Sequence, residues 1–313
     1  MFAGLLHFDW IFFAKKKSFL VLLVFFLGFG LFTSVAANFP FPETYKNSPY
    51  VITYIIGIMS LMCIFSVALL AAQSLMREKD AHFDLILYAT PIQKKYYLSS
   101  RFLVIFGIAA LTFALYVTGL LAGHQLFSSH DEELAALDVW SYVKPFLVLA
   151  VPNILFCTGV LCSIGVLSKN RMAIYISGLF IYFLYWGIAM FSNSPLMASA
   201  APVSAASMDV MAKVDPFGLS AFFEQTQYWT AGQRNTQLVT LTGNFLFNRM
   251  AYMAVSCLLV VFAYRKFSFV VGKDRKSGKK AKEDKTVLGL EYMPVPTKNS
   301  GGAYSLKAGL SFV

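Results

Sequence analysis

Apolar residues in this chain gather into six long blocks separated by short polar segments: Phe19–Ala37, Tyr50–Ala72, Phe102–Ala122, Pro145–Leu167, Met172–Phe191 and Phe245–Tyr264. A hydrocarbon layer of about 30 Å requires about 20 apolar helical residues to cross it, and each block is close to that length. The first five contain no charged residue. The sixth carries Arg249 near one end, where a long side chain can reach the interface. The pattern predicts an all-α polytopic membrane protein with six transmembrane helices. Ahead of them, residues 1–14 set Leu5, Leu6, Phe8, Trp10, Ile11, Phe12 and Phe13 against His7 and Asp9, with Lys15–Lys17 following. This mixture predicts a short helix lying in the membrane interface, aromatics inward and lysines at the headgroups.

Composition agrees. Hydrophobic residues make up 58% of the chain and charged ones 13%, against about 25% charged in soluble domains. Lipid-facing helices accommodate 31 Phe and 16 Tyr where few soluble cores could. The net charge of +10 is distributed unevenly. Of 26 Lys and Arg, only Lys46, Lys144, Lys213, Arg234 and Arg249 fall on one side of the six blocks. The rest lie on the other side, which places both termini in the cytoplasm of a cell (inner) membrane. The basic surplus therefore reports membrane orientation, and a nucleic-acid partner is not expected. All four cysteines (Cys63, Cys157, Cys162, Cys257) lie inside apolar blocks and read as small buried hydrophobes rather than a disulfide framework. The first block is longer than a signal-peptide core and is expected to stay as an anchor.

The polar segments differ in character. From Gln73 to Arg101, on the basic side, Arg77, Glu78, Lys79, Asp80 and Asp84 accompany Phe83, Ile86 and Leu87 at helical spacing. This reads as a short amphipathic helix followed by a break. Thr90-Pro91-Ile92-Gln93 then resembles a helix start, with Thr90 as cap, Pro91 at the first position and Gln93 closing a capping box. Ser168–Arg171 makes a tight hairpin, and Pro152 predicts a kink or an exposed carbonyl in the fourth block. The segment 123–144 is acidic. The largest insert, Ser192–Asn244, holds Asp215-Pro216-Phe217-Gly218 and then Phe222, Phe223, Tyr228 and Trp229 on the outer side. Its aromatics fit short helices on the outer leaflet and a docking surface for an outer-face partner equally well. The domain division is a six-span membrane domain over 1–272, with outer insert 192–244, and a basic cytoplasmic tail or linker over 273–313.

Soluble-enzyme chemistry is missing from the pattern. No phosphate-binding loop, His-Glu-x-x-His, Cys-x-x-Cys or Gly-x-Ser-x-Gly occurs. His7, His82, His124 and His130 do not cluster at ligand spacing, and no metal site is expected. The absence of Asp, Glu, Lys and Arg from five blocks disfavours an ion-coupled secondary transporter and an intramembrane protease. Gly119 and Gly123 have the small-xxx-small spacing of a helix–helix contact, a weak indication of dimerisation because apolar helices often carry it.

The interfacial helix, six blocks, outer insert before the last block, and the loop Arg77-Glu78-Lys79-Asp80-Ala81-His82-Phe83-Asp84-Leu85-Ile86 followed by Thr90-Pro91-Ile92 together resemble a type-2 ATP-binding-cassette exporter permease. The resemblance covers residues 1–270. Asp215-Pro216-Phe217-Gly218, Tyr228-Trp229 and Asn248-Arg249 further resemble the subgroup whose permease spans are fused to or associated with an outward-facing zinc aminopeptidase. This chain departs from that subgroup in having no second membrane half and no peptidase motif, so peptidase activity is not carried over.

The resemblance implies a non-enzymatic permease subunit whose segment Arg77, Glu78, Asp80, Phe83, Asp84, Ile86 and Leu87 docks on a separate ATPase subunit. ATP and Mg would be bound by that partner and no cofactor by this chain. A second permease half or a homodimer, membrane lipid, and an outer-face partner at Asp215, Phe217, Tyr228 and Trp229 complete the expected partners. The alternative is a non-transporting membrane scaffold that anchors an outer-face enzyme or complex through the insert.

Overall fold

The computed structural model describes residues 2–37, 43–81, 92–127, 134–191 and 204–267, and every regular element among them is helical. Each of the six apolar blocks lies within a long helical segment. In chain order these are α1 (Phe2–Ala14), α2 (Lys17–Ala36), α3 (Pro49–Met59) continued through a 3₁₀ turn at Ser60–Met62 into α4 (Cys63–Leu75), and α5 (Arg77–Asp80). Then come α6 (Lys94–Phe127), α7 (Trp140–Pro145) continued through a π-turn at Phe146–Ala150 into α8 (Val151–Ser168), and α9 (Arg171–Phe191). The chain closes with α10 (Ala205–Val214), α11 (Leu219–Thr226), α12 (Ala231–Thr236) and α13 (Gly243–Lys266).

Five segments are long and apolar enough to cross a membrane: α2, α3–α4, α6, α7–α8 and α13. The remaining block, Met172–Phe191, forms α9, a continuous helix of 21 residues. At the centre, α3–α4, α6 and α8 bury Ile52, Ile56, Val67, Ile105, Ile108, Ile154 and Leu161 against one another. Around them, α2 packs along α6, α13 along α8, and α9 against α4 and α8. The outward faces of α2 and α9 remain apolar and exposed (Val21, Val24, Phe32; Ile176, Phe180, Phe183).

The α2–α6 crossing depends on glycine. A Cβ at Gly30 would collide with the Tyr116 and Leu120 backbone, and one at Gly119 with the Leu27 carbonyl. Gly123 faces Ser34 of α2 in the same way. The small-xxx-small spacing of Gly119 and Gly123 is thus used within the molecule, because only hydrogen at these positions lets the two backbones approach.

Local sequence explains some of the boundaries. Ser48 caps α3, its side chain accepting from the Val51 N–H, with Pro49 at the first turn. Thr230 and Gln233 form a capping box on α12. The start of α6 is later than expected, at Lys94 rather than at Pro91, with the Gln93 carbonyl accepting from the Tyr96 and Tyr97 N–H groups. Thr90 and Pro91 lie outside the described residues. Just before Pro152, which has no N–H for the Val148 carbonyl, the helix widens into the π-turn at Phe146–Ala150.

Candidate coupling site at the basic end

The loops rich in Lys and Arg gather at one end of the helix bundle, and there a small set of charged side chains is buried. Asp9 is the single acid of α1 and is only 2% exposed. Its Oδ1 accepts from Arg77 Nη2 at 3.1 Å, and its Oδ2 accepts from Ser100 Oγ at 3.2 Å and lies 3.3 Å from Arg101 Nε. Glu78 Oε1 accepts from Arg77 Nε and Nη2, at 3.1 and 2.8 Å, and from Arg101 Nη2. Tyr97 donates its hydroxyl to Glu78 Oε2 at 3.1 Å. Arg101 Nη1 reaches back to the Ser74 carbonyl at the end of α4, 2.7 Å away. The Arg77 guanidinium lies over the Phe8 and Phe12 rings at 5.0 and 4.4 Å. Two acids and two bases from α1, α5 and α6 therefore balance in formal charge, while Arg77 Nη1 and Arg101 Nε are buried without a hydrogen bond of their own. Burial, the largest influence on Glu78, pushes its carboxyl up, but Arg101 and Arg77 outweigh it and hold the group below the ordinary glutamate value.

The tip of α5 makes a second set of contacts. Lys79 donates to the Lys169 carbonyl at 2.9 Å, and Asp80 pairs with Arg171 across the turn between α8 and α9. Unlike Glu78, Asp80 and Arg171 are about half exposed. The four-residue α5 thus touches α1, α4, α6 and the α8–α9 turn. Lys16, at the α1–α2 junction, adds a hydrogen bond to Gln73 of α4 at 3.1 Å.

Of the residues expected to face an ATPase, the structure turns Arg77 and Glu78 inward and leaves Asp80 accessible. Phe83, Asp84, Ile86 and Leu87 lie outside the described residues. Asp9, Tyr97, Ser100 and Arg101 carry the cluster without having been singled out as site residues. The available signal was a lone acid in an otherwise apolar 13-residue helix, and an Arg one turn beyond Tyr97 where α6 enters its apolar stretch.

At the opposite end, Asp215 and Phe217 are brought together and Tyr228 is not. Asp215 accepts from the Phe217 and Ser220 N–H groups at 2.8 and 2.7 Å, fastening the start of α11. The Asp215-Pro216-Phe217-Gly218 turn lies over Asn248 and Arg249 of α13. Asn248 donates to the Ala212 and Asp215 carbonyls at 2.8 Å, and Arg249 Nη1 to Asn153 Oδ1 at 2.8 Å. Asn153 in turn donates to Ser60 Oγ at 2.7 Å and to the Phe217 carbonyl at 3.1 Å. Gly218 adopts φ +72°, and a Cβ there would strike the Arg249 guanidinium. Arg249 therefore does not snorkel outward; it is 2% exposed and sealed under the turn. Trp229 packs partly against the core, while Tyr228 is 84% exposed. His124 donates to or accepts from the Tyr142 hydroxyl at 2.7 Å.

The arrangement holds no grouping of three metal-ligating side chains among the described residues. Its side chains tie α1, α4, α5, α6 and the α8–α9 turn to one another. The fold and this site define an all-helical protein with five membrane-length helices, joined at its basic end by a buried ion cluster. No protein-family model matches the chain, and no characterised protein matches it in sequence.

Proposed function

We propose that the chain is the membrane-spanning permease subunit of an ATP-binding-cassette exporter, worked by a separate ATPase subunit that binds ATP and Mg. In this reading six helices cross the membrane, α9 included. The basic end and both termini face the cytoplasm, as the Lys and Arg distribution favours.

The observation that carries the reading is α5. A helix of four residues is too short to be stable alone, yet it is tied to α1, α6 and the α8–α9 turn through Asp9, Arg77, Glu78, Arg101, Lys79 and Asp80. A partner pressing on the exposed Asp80 side would displace these elements together rather than bend a loop. ATP-driven closure of an ATPase dimer supplies such a push, and packed helices with two arrangements convert it into export or other work across the membrane.

Affinity purification of the full chain from mild detergent, with mass spectrometry of what accompanies it, tests the reading. A stoichiometric nucleotide-binding subunit is expected, and its loss from Asp80→Lys with the chain still membrane-inserted. Recovery of the same subunit with the variant would remove α5 from the interface; no such subunit with the native chain would overturn the permease reading. The exposed Tyr228 beside half-buried Trp229 favours one other reading, a scaffold for an outer-face protein. Recovery of such a protein alone would support it.

A further inference from the structure

On the basic half of the bundle, α6 and α13 both pack against α8 but barely touch each other. Between them lies a groove of about 440 Å³, a volume within the usual range of small-molecule sites, about 300–1,000 Å³. Cys162, Ser163 and Val166 of α8 line it, together with Leu98 and Phe102 of α6 and Val260 of α13. Ser99, Leu103 and Val261, which also line it, are exposed, so the groove is open along its side.

The mouth of this groove has the opposite character. Lys94 and Lys95 begin α6, and Arg265 and Lys266 end α13. The two ends are adjacent, with Lys94 Nζ 4.6 Å from the Tyr264 ring centroid and the Tyr97 and Phe267 rings stacked at 6.1 Å. Among the described residues no carboxylate forms an ion pair with any of these four cations. From Lys95 to Leu103 the helix rises about 12 Å, so a group held at the lysines has apolar wall directly beneath it. Tyr96 and Tyr264 stand at the same level, as aromatic side chains do at headgroup depth.

We infer that this groove is a site for one anionic phospholipid, its acyl chain between α6 and α13 and its phosphate held by Lys95 with Lys94 and Arg265. Cation without a paired acid, above an open apolar slot, is the complement of a negatively charged headgroup on a hydrocarbon tail. The inference requires a membrane-embedded chain and is independent of the permease reading.

Native mass spectrometry of the full chain in detergent, titrated with phosphatidylglycerol or phosphatidylcholine, provides the test. One saturable phosphatidylglycerol adduct is expected, bound at least tenfold more tightly than phosphatidylcholine. Lys95→Gln combined with Arg265→Gln, and separately Ser99→Trp, should each weaken it at least tenfold, and Leu111→Trp farther along α6 should not. Val261→Trp fills the groove from the opposite wall if Ser99→Trp does not fold. Equal binding of both lipids, absence of an adduct, or an adduct lost with the charges yet untouched by the groove-filling variants would overturn the site. The last outcome would mark adsorption to a basic surface.

Discussion

Two fully buried arginines, Arg101 at the basic end and Arg249 at the other, are satisfied in different ways. Arg101 lies among Asp9, Glu78 and Arg77 in a set whose formal charges cancel. Arg249 has no carboxylate within ion-pair distance among the described residues; its donors go to the side-chain oxygens of Asn153 and Asn248 and to the Pro216 carbonyl. The first arrangement joins elements by charge and is sensitive to anything that unbalances it. The second joins them by dipoles of fixed geometry, and it is the backbone turn at Asp215–Gly218 that holds those dipoles in place. In the proposed permease, a linkage that transmits force between α1, α5 and α6 gains from strong, mutually dependent ion pairs. A seal over the ends of α8 and α13 gains from shape.

The sharpest way to break the comparison is to remove the two cations. Arg101→Met leaves Asp9 and Glu78 buried with Arg77 alone, a change expected to cost about 3–5 kcal/mol, read as a lowered thermal midpoint in detergent. Arg249→Met leaves the Asn153 and Asn248 amide oxygens unpaired, at about 1–3 kcal/mol each, but strands no buried charge, and should cost less. Equal losses would mean that the two ends are not held by different physics.

Acid sharpens the contrast. Glu78 is held below its ordinary value, so its contribution is fully present above about pH 4.3 and disappears as pH falls through the lowered value. Thermal stability of the native chain should therefore contain a component that falls below that point. Glu78→Gln should remove that fall, and Arg249→Met should retain it. The smallest effect is expected at the exposed pair: Asp80→Asn should change stability by about 0–1 kcal/mol, measured in the same melts, because solvent already screens Asp80 and Arg171.

Apolar block length made the long helices legible, since hydrocarbon thickness constrains helix length directly. The caps at Ser48 and Thr230 were equally local and could have been read from neighbouring residues. The ion cluster was only half legible. Arg77 and Glu78 stood out as charges beside an apolar face, but their inward orientation depends on Asp9 and Arg101, 68 and 23 residues away. Arg249 near the end of its block resembled a snorkelling side chain, and only the turn over it and Asn153, 96 residues away, show otherwise. The Gly119–Gly123 spacing identified a close helix contact correctly in kind, but a motif alone does not say whether the partner is another chain or, as here, α2.

Cross-linking from the two ends in the native membrane tests the central claim most directly. Asp80→Cys and Tyr228→Cys, each in a Cys257→Ser background that removes the exposed native thiol, would carry a photo-activated cross-linker at opposite ends of the molecule. A nucleotide-binding subunit captured from position 80 and not from position 228 is the predicted result. Capture of an outer-face protein from position 228, with nothing from position 80, would contradict the account.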